Sequence, residues 1–242
     1  MYRLWVGLGI VVGLVAARFS RDTSGLSPDL RRKIGVAALL GAVAGAYLFE
    51  LPADLLGWAA PAHGADAHGL VLFGRTLLGG LLGGFLSVEI AKLRLGVRRR
   101  TGDRFALPVA VSLAFGRVGC LFGGCCAGRP VEPGSALARL AMQDPAGILR
   151  VPVPLIEAYF HGIAALILLV ASHRGLCDTR RFSIYVAAYA ALRFGLEFLR
   201  ENPEILLGLT YYQLLAVPLF ILGAMTAFRR GSGLLVSDPR VG

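Results

Sequence analysis

Seven apolar runs account for most of the chain, at about residues 4–17, 34–51, 69–90, 105–121, 153–171, 182–199 and 209–228. A helix that crosses a bilayer needs roughly 20 mostly apolar residues, and in hydrocarbon every backbone donor and acceptor must be satisfied within the protein. Repeated runs of this length therefore predict an all-α, polytopic membrane bundle of about seven helices. Composition agrees: of 242 residues, 56% are hydrophobic and 17% charged, and the mean hydropathy is +0.67, too apolar for a soluble domain of this size. Residues 1–242 read as a single transmembrane domain, within which residues 122–152 form a segment at the outer face.

The formal charge is +10, a balance that in a soluble protein would raise the question of nucleic acid. Here the arginines concentrate in short segments between apolar runs, as the positive-inside rule expects, and no basic-aromatic ribbon accompanies them. Nucleic acid is not an expected partner; membrane lipid is. Most of the 25 Lys and Arg collect on one side if the segment after the first run faces the cytoplasm, notably Arg31, Arg32 and Lys33, Arg98, Arg99 and Arg100, and Arg180 and Arg181. This sorting predicts the N-terminus outside and the C-terminus inside. The first run ends in Val15-Ala16-Ala17, which resembles a signal-peptide cleavage site, but Arg18 and Arg21 directly after it favour a retained anchor. In the outer segment, Ser135 is placed to cap a short helix running to Gln143 on the membrane surface.

Ionisable residues inside membrane helices cost about 2.5 to 3.5 kcal/mol on insertion scales, so those present are functional candidates. Under the predicted topology Arg75, Arg117, Glu157, Arg193, Glu197 and Arg200 all fall in the outer half. Arg193, Glu197 and Arg200 share one helical face at i, i+4, i+7, and Glu157 and His161 are likewise i, i+4. Arginines in excess over carboxylates make a pocket for an anionic group such as a lipid phosphate, which the planar guanidinium suits. Snorkelling to the headgroups is the competing reading for Arg75 and Arg200. Glu89 and Lys92, at the other end of the third run, read as a solvated pair. Gly79-Gly80-Leu81-Leu82-Gly83-Gly84 reads as a small-residue surface for close helix packing, and Asn202-Pro203 as the stop of the sixth run.

Cys120, Cys125 and Cys126 crowd one short segment, at spacings compatible with a thiol or soft-metal site or with small apolar packing. Without a nearby histidine they make an incomplete zinc set, so no metal is assigned. A third reading, an anion path, fits poorly with charges gathered at one depth.

The segment from Phe115 to Pro130, FGRVGCLFGGCCAGRP, resembles the signature of the bacterial prolipoprotein diacylglyceryl transferases. RFGLEFLR over 193–200 followed by Glu201-Asn202-Pro203, PVPLIE over 152–157 and LTYYQLL over 209–215 resemble that family's later motifs, in the same order. The resemblance implies transfer of a diacylglyceryl group from phosphatidylglycerol to the lipobox cysteine of prolipoproteins, with release of glycerol phosphate, in the bacterial cytoplasmic membrane and without a cofactor. It implies catalytic roles for Arg117, Arg193, Glu197, Arg200 and Glu157, and headgroup binding by Arg117, Gly128, Arg193 and Arg200. The sequence departs from the family pattern at Leu78, where a histidine is usual, at Cys120, where an asparagine is usual, and at Cys125. The alternatives are a relative with a different lipid acceptor, or a non-enzymatic thiol or metal protein built on the three cysteines.

Overall fold

The computed structural model describes residues 1–58 and 76–229. They form eight α-helices: α1 (Tyr2–Ala16), α2 (Pro28–Leu48), α3 (Leu51–Leu56), α4 (Leu77–Arg94), α5 (Asp103–Phe122), α6 (Val153–Arg174), α7 (Arg181–Glu197) and α8 (Tyr211–Phe228). Local chemistry sets several of their ends. Ser27 accepts from the Leu30 amide at 3.4 Å with Pro28 at the first helical position of α2, an arrangement that satisfies an orphan donor and presets φ. Thr210 and Gln213 make a reciprocal capping box at the start of α8. Gly175, at φ 66°, ends α6 in the left-handed region that glycine adopts without strain.

Five stretches are long and apolar enough to cross a membrane among the described residues: Tyr2–Phe19, Pro28–Leu56, Asp103–Phe122, Val153–Arg174 and Tyr211–Phe228. The chain is thus an all-α, multi-pass membrane protein. Helices α4 and α7 fall short by composition and length: α4 carries Glu89, Lys92 and Arg94, and α7 has 17 residues that include Arg181, Arg193 and Glu197. The start of the third apolar run, with Arg75, lies outside the described residues.

Burial is inverted relative to a soluble protein. Leu4, Leu39, Leu40, Ile163, Leu166 and Ile167 are exposed, whereas Glu157, Glu197, Arg193 and Lys92 are buried. A hydrocarbon solvent accounts for both halves of that pattern, because it accepts apolar side chains and leaves charges to pair inside the protein. The core is formed by Leu78 and Leu82 of α4, Ala106, Leu107 and Ala110 of α5, Tyr185, Tyr189 and Ala190 of α7, and Leu215 and Leu219 of α8.

The helices pack as antiparallel neighbours. Trp5 of α1 stacks on Phe122 of α5 at 5.4 Å, and Ser112 of α5 donates to the Gly9 carbonyl at 3.0 Å. Between α2 and α4 the glycine surface read from the sequence is used directly: a Cβ on Gly83 would stand 2.6 Å from Gly45 Cα, and one on Gly79 would stand 2.6 Å from the Gly45 carbonyl oxygen. Ser87 of α4 donates to Ala37 of α2 at 2.7 Å along the same seam. Such approach allows dispersion contact that larger side chains would prevent.

Two expectations are revised. Glu89 and Lys92 are buried, not solvated, and pair at 2.8 Å; they line a cavity of about 130 Å³ with Arg100, Phe105 and Phe182, at the end of the bundle away from Arg117. The stretch read as a helix from Ser135 to Gln143 contains one 3-10 turn, Ala136–Arg139, and then a hairpin of β1 (Met142–Gln143) and β2 (Leu149–Arg150). A second hairpin, β3 (Glu204–Leu206) with β4 (Leu209–Thr210), links α7 to α8.

Gly83→Val is expected to destabilise the bundle by about 1 to 3 kcal/mol through overpacking, read as a lower thermal midpoint in detergent. Gly162→Ala, where an added Cβ meets nothing within 4 Å, serves as the control and leaves the midpoint unchanged or higher.

Candidate functional site

Helices α5, α6 and α7 converge on one carboxylate. Glu157 sits one turn into α6 with no exposed surface. Its Oε1 accepts from Arg117 Nη2 of α5 at 3.1 Å and from the Tyr189 hydroxyl of α7 at 2.9 Å, and Arg193 Nε of α7 approaches it to 3.9 Å. Tyr189 also accepts from Arg117 Nη2 at 3.4 Å. A buried carboxylate would be prohibitive alone; here Oε1 is held by one guanidinium and a hydroxyl with a second guanidinium nearby, while Oε2 is buried without a hydrogen-bond partner among the described residues.

The network continues down α7. Arg193 Nη1 pairs with Glu197 Oε2, one turn away. Asn202 Nδ2 donates to Glu197 Oε1, and the Thr210 hydroxyl donates to the same oxygen at 3.2 Å. The Arg193 guanidinium also lies over the Tyr212 ring at 5.8 Å, and Tyr212 donates to Glu50 Oε1 at 2.8 Å. Arg117, Glu157, Arg193 and Glu197, singled out from the sequence, are thus one connected set. Arg200 lies beyond the end of α7 at Glu197, in a turn where its amide donates to the Glu197 carbonyl at 3.0 Å. It is half-buried.

Two donors in this region stand apart. Arg117 Nε is buried without a hydrogen-bond partner among the described residues, and Arg200 is held by no ion pair among them. Uncommitted guanidinium donors beside paired arginines are what an anion site requires. His161 is fully buried: its Nδ1 is 2.8 Å from the Tyr185 hydroxyl, its ring packs on Tyr189 at 4.7 Å, and its Nε2 has no hydrogen-bond partner among the described residues.

The segment after α5 is fastened to this corner. Arg150 Nε donates to Asp144 Oδ2 at 2.7 Å, and its Nη1 reaches Glu201 Oε2 at 2.6 Å and the Gly128 carbonyl at 3.3 Å. Asp144 Oδ1 accepts from the amides of Ala146 and Ile148, both at 2.9 Å, the local turn chemistry expected of aspartate before Pro145-Ala146-Gly147. Gly128 is packed where a Cβ would stand 2.9 Å from Val151 Cβ and 3.0 Å from Val153 Cγ2, so glycine is required for the chain to cross there. Beside Arg117, the thiols of Cys120, Cys125 and Cys126 lie within 4.8 Å of one another, and Arg117 Nη1 is 4.0 Å from Cys120 Sγ. All three are free thiols.

The sequence reading missed Tyr189, Asn202, Thr210 and the Asp144–Arg150–Glu201 clasp. Thr210-Tyr211-Tyr212-Gln213 carries the capping-box signal that would have found Thr210, and Asp144-Pro145-Ala146-Gly147 carries a turn signal. Nothing local distinguishes Tyr189 from the other aromatic residues of its run.

A model of the prolipoprotein diacylglyceryl transferase family matches residues 1–229. The phosphatidylglycerol-prolipoprotein diacylglyceryl transferase of Clostridium tetani is 26% identical over 207 residues, covering 84% of this chain and 81% of its own length. A protein of Acidiphilium cryptum with the same name is 30% identical over 166 residues, 64% of this chain and 60% of its own. One from Clostridium perfringens is 29% identical over 140 residues, 56% of this chain and 54% of its own. The last two matches span less than two thirds of those relatives.

The clasp predicts a pH dependence. Asp144 is held below the ordinary carboxylate range, first by the Arg150 hydrogen bond and then by the Ile148 and Ala146 amides. Its stabilisation is therefore complete above the unfolded carboxyl value of about 3.9 and is lost as pH falls through the lower folded value. Asp144→Asn should lower the thermal midpoint at neutral pH, and the gap to wild type should close in acid; a gap independent of pH would refute the clasp as its source.

Proposed function

Because the chain belongs to the prolipoprotein diacylglyceryl transferase family, we propose that it moves the diacylglyceryl group of phosphatidylglycerol onto the lipobox cysteine thiol of prolipoproteins and releases glycerol phosphate. The thiol sulfur forms a bond to the glyceryl carbon, that carbon's bond to the phosphate oxygen breaks, the electron pair leaves on phosphate, and the thiol proton passes to solvent. The reading places the chain in the bacterial cytoplasmic membrane as one domain of seven spans. Helices α4 and α7 are then the two spans whose charges keep them from standing out by composition, and the N-terminus is outside and the C-terminus inside.

The observation that carries the reading is the buried network around Glu157. Under it, Arg117 and Arg200 hold the lipid phosphate, Arg193 adds positive potential behind them, and Glu157 and Glu197 fix the guanidinium groups in place. Arg117 is already oriented by Glu157 and Tyr189, so it need not reorganise as charge builds on the leaving oxygen, and preorganised charges of this kind are the largest single term in many enzymes. Both oxygens of Glu197 are held by Arg193, Asn202 and Thr210, whereas Glu157 Oε2 has no hydrogen-bond partner among the described residues, so Glu157 is the carboxylate of the network free to relay the thiol proton to solvent. Gly128 serves by permitting the close crossing that brings the 122–152 segment against Leu199.

Transfer of radiolabelled diacylglycerol from phosphatidylglycerol to a lipobox peptide, by the full chain in detergent, tests the proposal. Wild type should transfer, and Arg117→Ala should fall by about 10²- to 10³-fold in kcat, the size of loss expected for one preorganised donor. Folded wild type that transfers nothing to several peptides would overturn the reaction; an undiminished Arg117→Ala would overturn the assignment of that residue. Arg193→Ala should instead lose stability, by about 3 to 5 kcal/mol, because it strands Glu197 and weakens the pairing of Glu157.

A further inference from the structure

The three thiols beside Arg117 have no part in the network of carboxylates and arginines. Cys120 lies in the last turn of α5, and the chain then turns through Gly123 and Gly124, the latter at φ 65°. Cys126 follows at φ 61°, a conformation uncommon for a residue with a side chain. That conformation lets two adjacent cysteines bring both sulfurs to the same point as Cys120, where an extended chain would send them to opposite sides. The three sulfurs lie within 4.8 Å of one another. Thiolates bound to one zinc ion at about 2.3 Å stand roughly 3.8 Å apart when tetrahedral, a contraction that side-chain rotation supplies. Cys120 is buried, and Cys125 and Cys126 are half-buried.

We infer that Cys120, Cys125 and Cys126 form a three-thiolate site for a divalent cation of the zinc class, with its fourth position open to a substrate thiol. Charge favours a divalent ion. Three thiolates around it leave a single negative charge, and Arg117 Nη1 lies 4.0 Å from Cys120 Sγ to balance it, whereas a monovalent ion would leave two. Three protein ligands with an open position are the composition of reactive zinc sites, and fully ligated sets that of structural ones.

The open position acquires meaning from the proposed function, on which this part of the inference rests. The acceptor is a thiol, and the phosphate it displaces is held by Arg117, the residue that touches the cluster. On binding, the acceptor thiol gives its proton to solvent and its sulfur becomes the fourth ligand. That sulfur then forms the bond to the glyceryl carbon as the bond from carbon to phosphate oxygen breaks, and the resulting thioether, a weaker and neutral ligand, leaves the metal. Nothing is oxidised or reduced.

Cobalt reports both halves. The full chain, reduced, stripped of metal with a chelator and titrated with Co²⁺ in detergent, should develop thiolate-to-cobalt charge-transfer absorption and tetrahedral ligand-field bands. Cys125→Ser and Cys126→Ser should each lose most of the charge-transfer intensity, while Cys177→Ser, in the turn between α6 and α7, leaves it unchanged; helical circular dichroism shows that each variant is folded. A lipobox peptide should shift the ligand-field bands, and its serine counterpart should not. Absence of a charge-transfer band from folded wild type overturns the site. A band indifferent to the peptide overturns the open position. Full transfer activity in metal-stripped protein overturns the inference yet leaves the transferase reading intact. A peptide-responsive cobalt spectrum in a protein that transfers nothing upholds the site and defeats that reading.

Discussion

The carboxylate of Glu157 has no exposed surface and stands where α5, α6 and α7 meet, so the relative position of those helices depends on how it is satisfied. In a bilayer there is no hydrophobic force to press helices together, since lipid tails are as apolar as the side chains they would replace. A charge that can be satisfied only by groups on two other helices does the same work with more specificity. Arg117 reaches it from α5 and Tyr189 and Arg193 from α7, and no helix can slide by a turn without stranding one of them. Tyr189 owes its position to this network and in turn provides the ring against which His161 packs.

Elsewhere the bundle is joined differently. The α2–α4 seam uses Gly45, Gly79 and Gly83 to bring backbones into contact, and α1 lies on α5 through Gly9 and Gly13. These seams depend on shape and carry little charge. The Glu157 corner depends on charge, and buried pairs at the other end, Glu89 with Lys92 and Asp103 with Arg181, use the same device on a smaller scale. The two devices divide the molecule into a packed scaffold and a polar corner, with the Arg150 clasp and the β3–β4 hairpin closing that corner from outside the helices. A rigid scaffold beneath a preorganised polar set is the arrangement that holds charged groups to fixed distances.

Much of this was legible in the sequence because the bilayer makes composition and structure nearly the same statement: an apolar run is a helix, and an ionisable residue inside one is a partner for another. Arg193 and Glu197 were legible as a pair because i, i+4 spacing fixes their contact within one helix. Glu157 and Arg117 were legible as candidates by depth, but their direct pairing was not, since it depends on how α5 and α6 rotate. Asn202 was read only as part of a stop signal because its contact with Glu197 requires the chain to turn back after α7. Glu89 and Lys92 were misread because i, i+3 spacing places them together without saying whether the shared face meets lipid, water or protein. The 136–143 stretch was misread because Ser135 and the residues after it satisfy a capping pattern locally, while pairing of Met142 with Arg150 is a non-local choice enforced by the Asp144 turn.

The balance of charge at the corner bears on why carboxylates belong in a site proposed to hold phosphate. Among Arg117, Arg193, Arg200, Glu157 and Glu197 the guanidinium groups outnumber the carboxylates by one, and Glu50 is linked to this set through the Tyr212 hydroxyl. The phosphodiester of phosphatidylglycerol carries a single negative charge, and the monoester that departs approaches two. A pocket stripped of its carboxylates would bind substrate and product tightly alike, and uniform binding does not accelerate a reaction. With the excess held near one, the diester is roughly balanced, and the charge added as the carbon–oxygen bond breaks is met by guanidinium groups already aimed by Glu157 and Glu197. On this view the carboxylates convert a strong anion trap into a site whose attraction grows with the reaction. The same moderation of charge lets the monoester leave, which a cluster of unpaired arginines in a low-dielectric pocket would oppose.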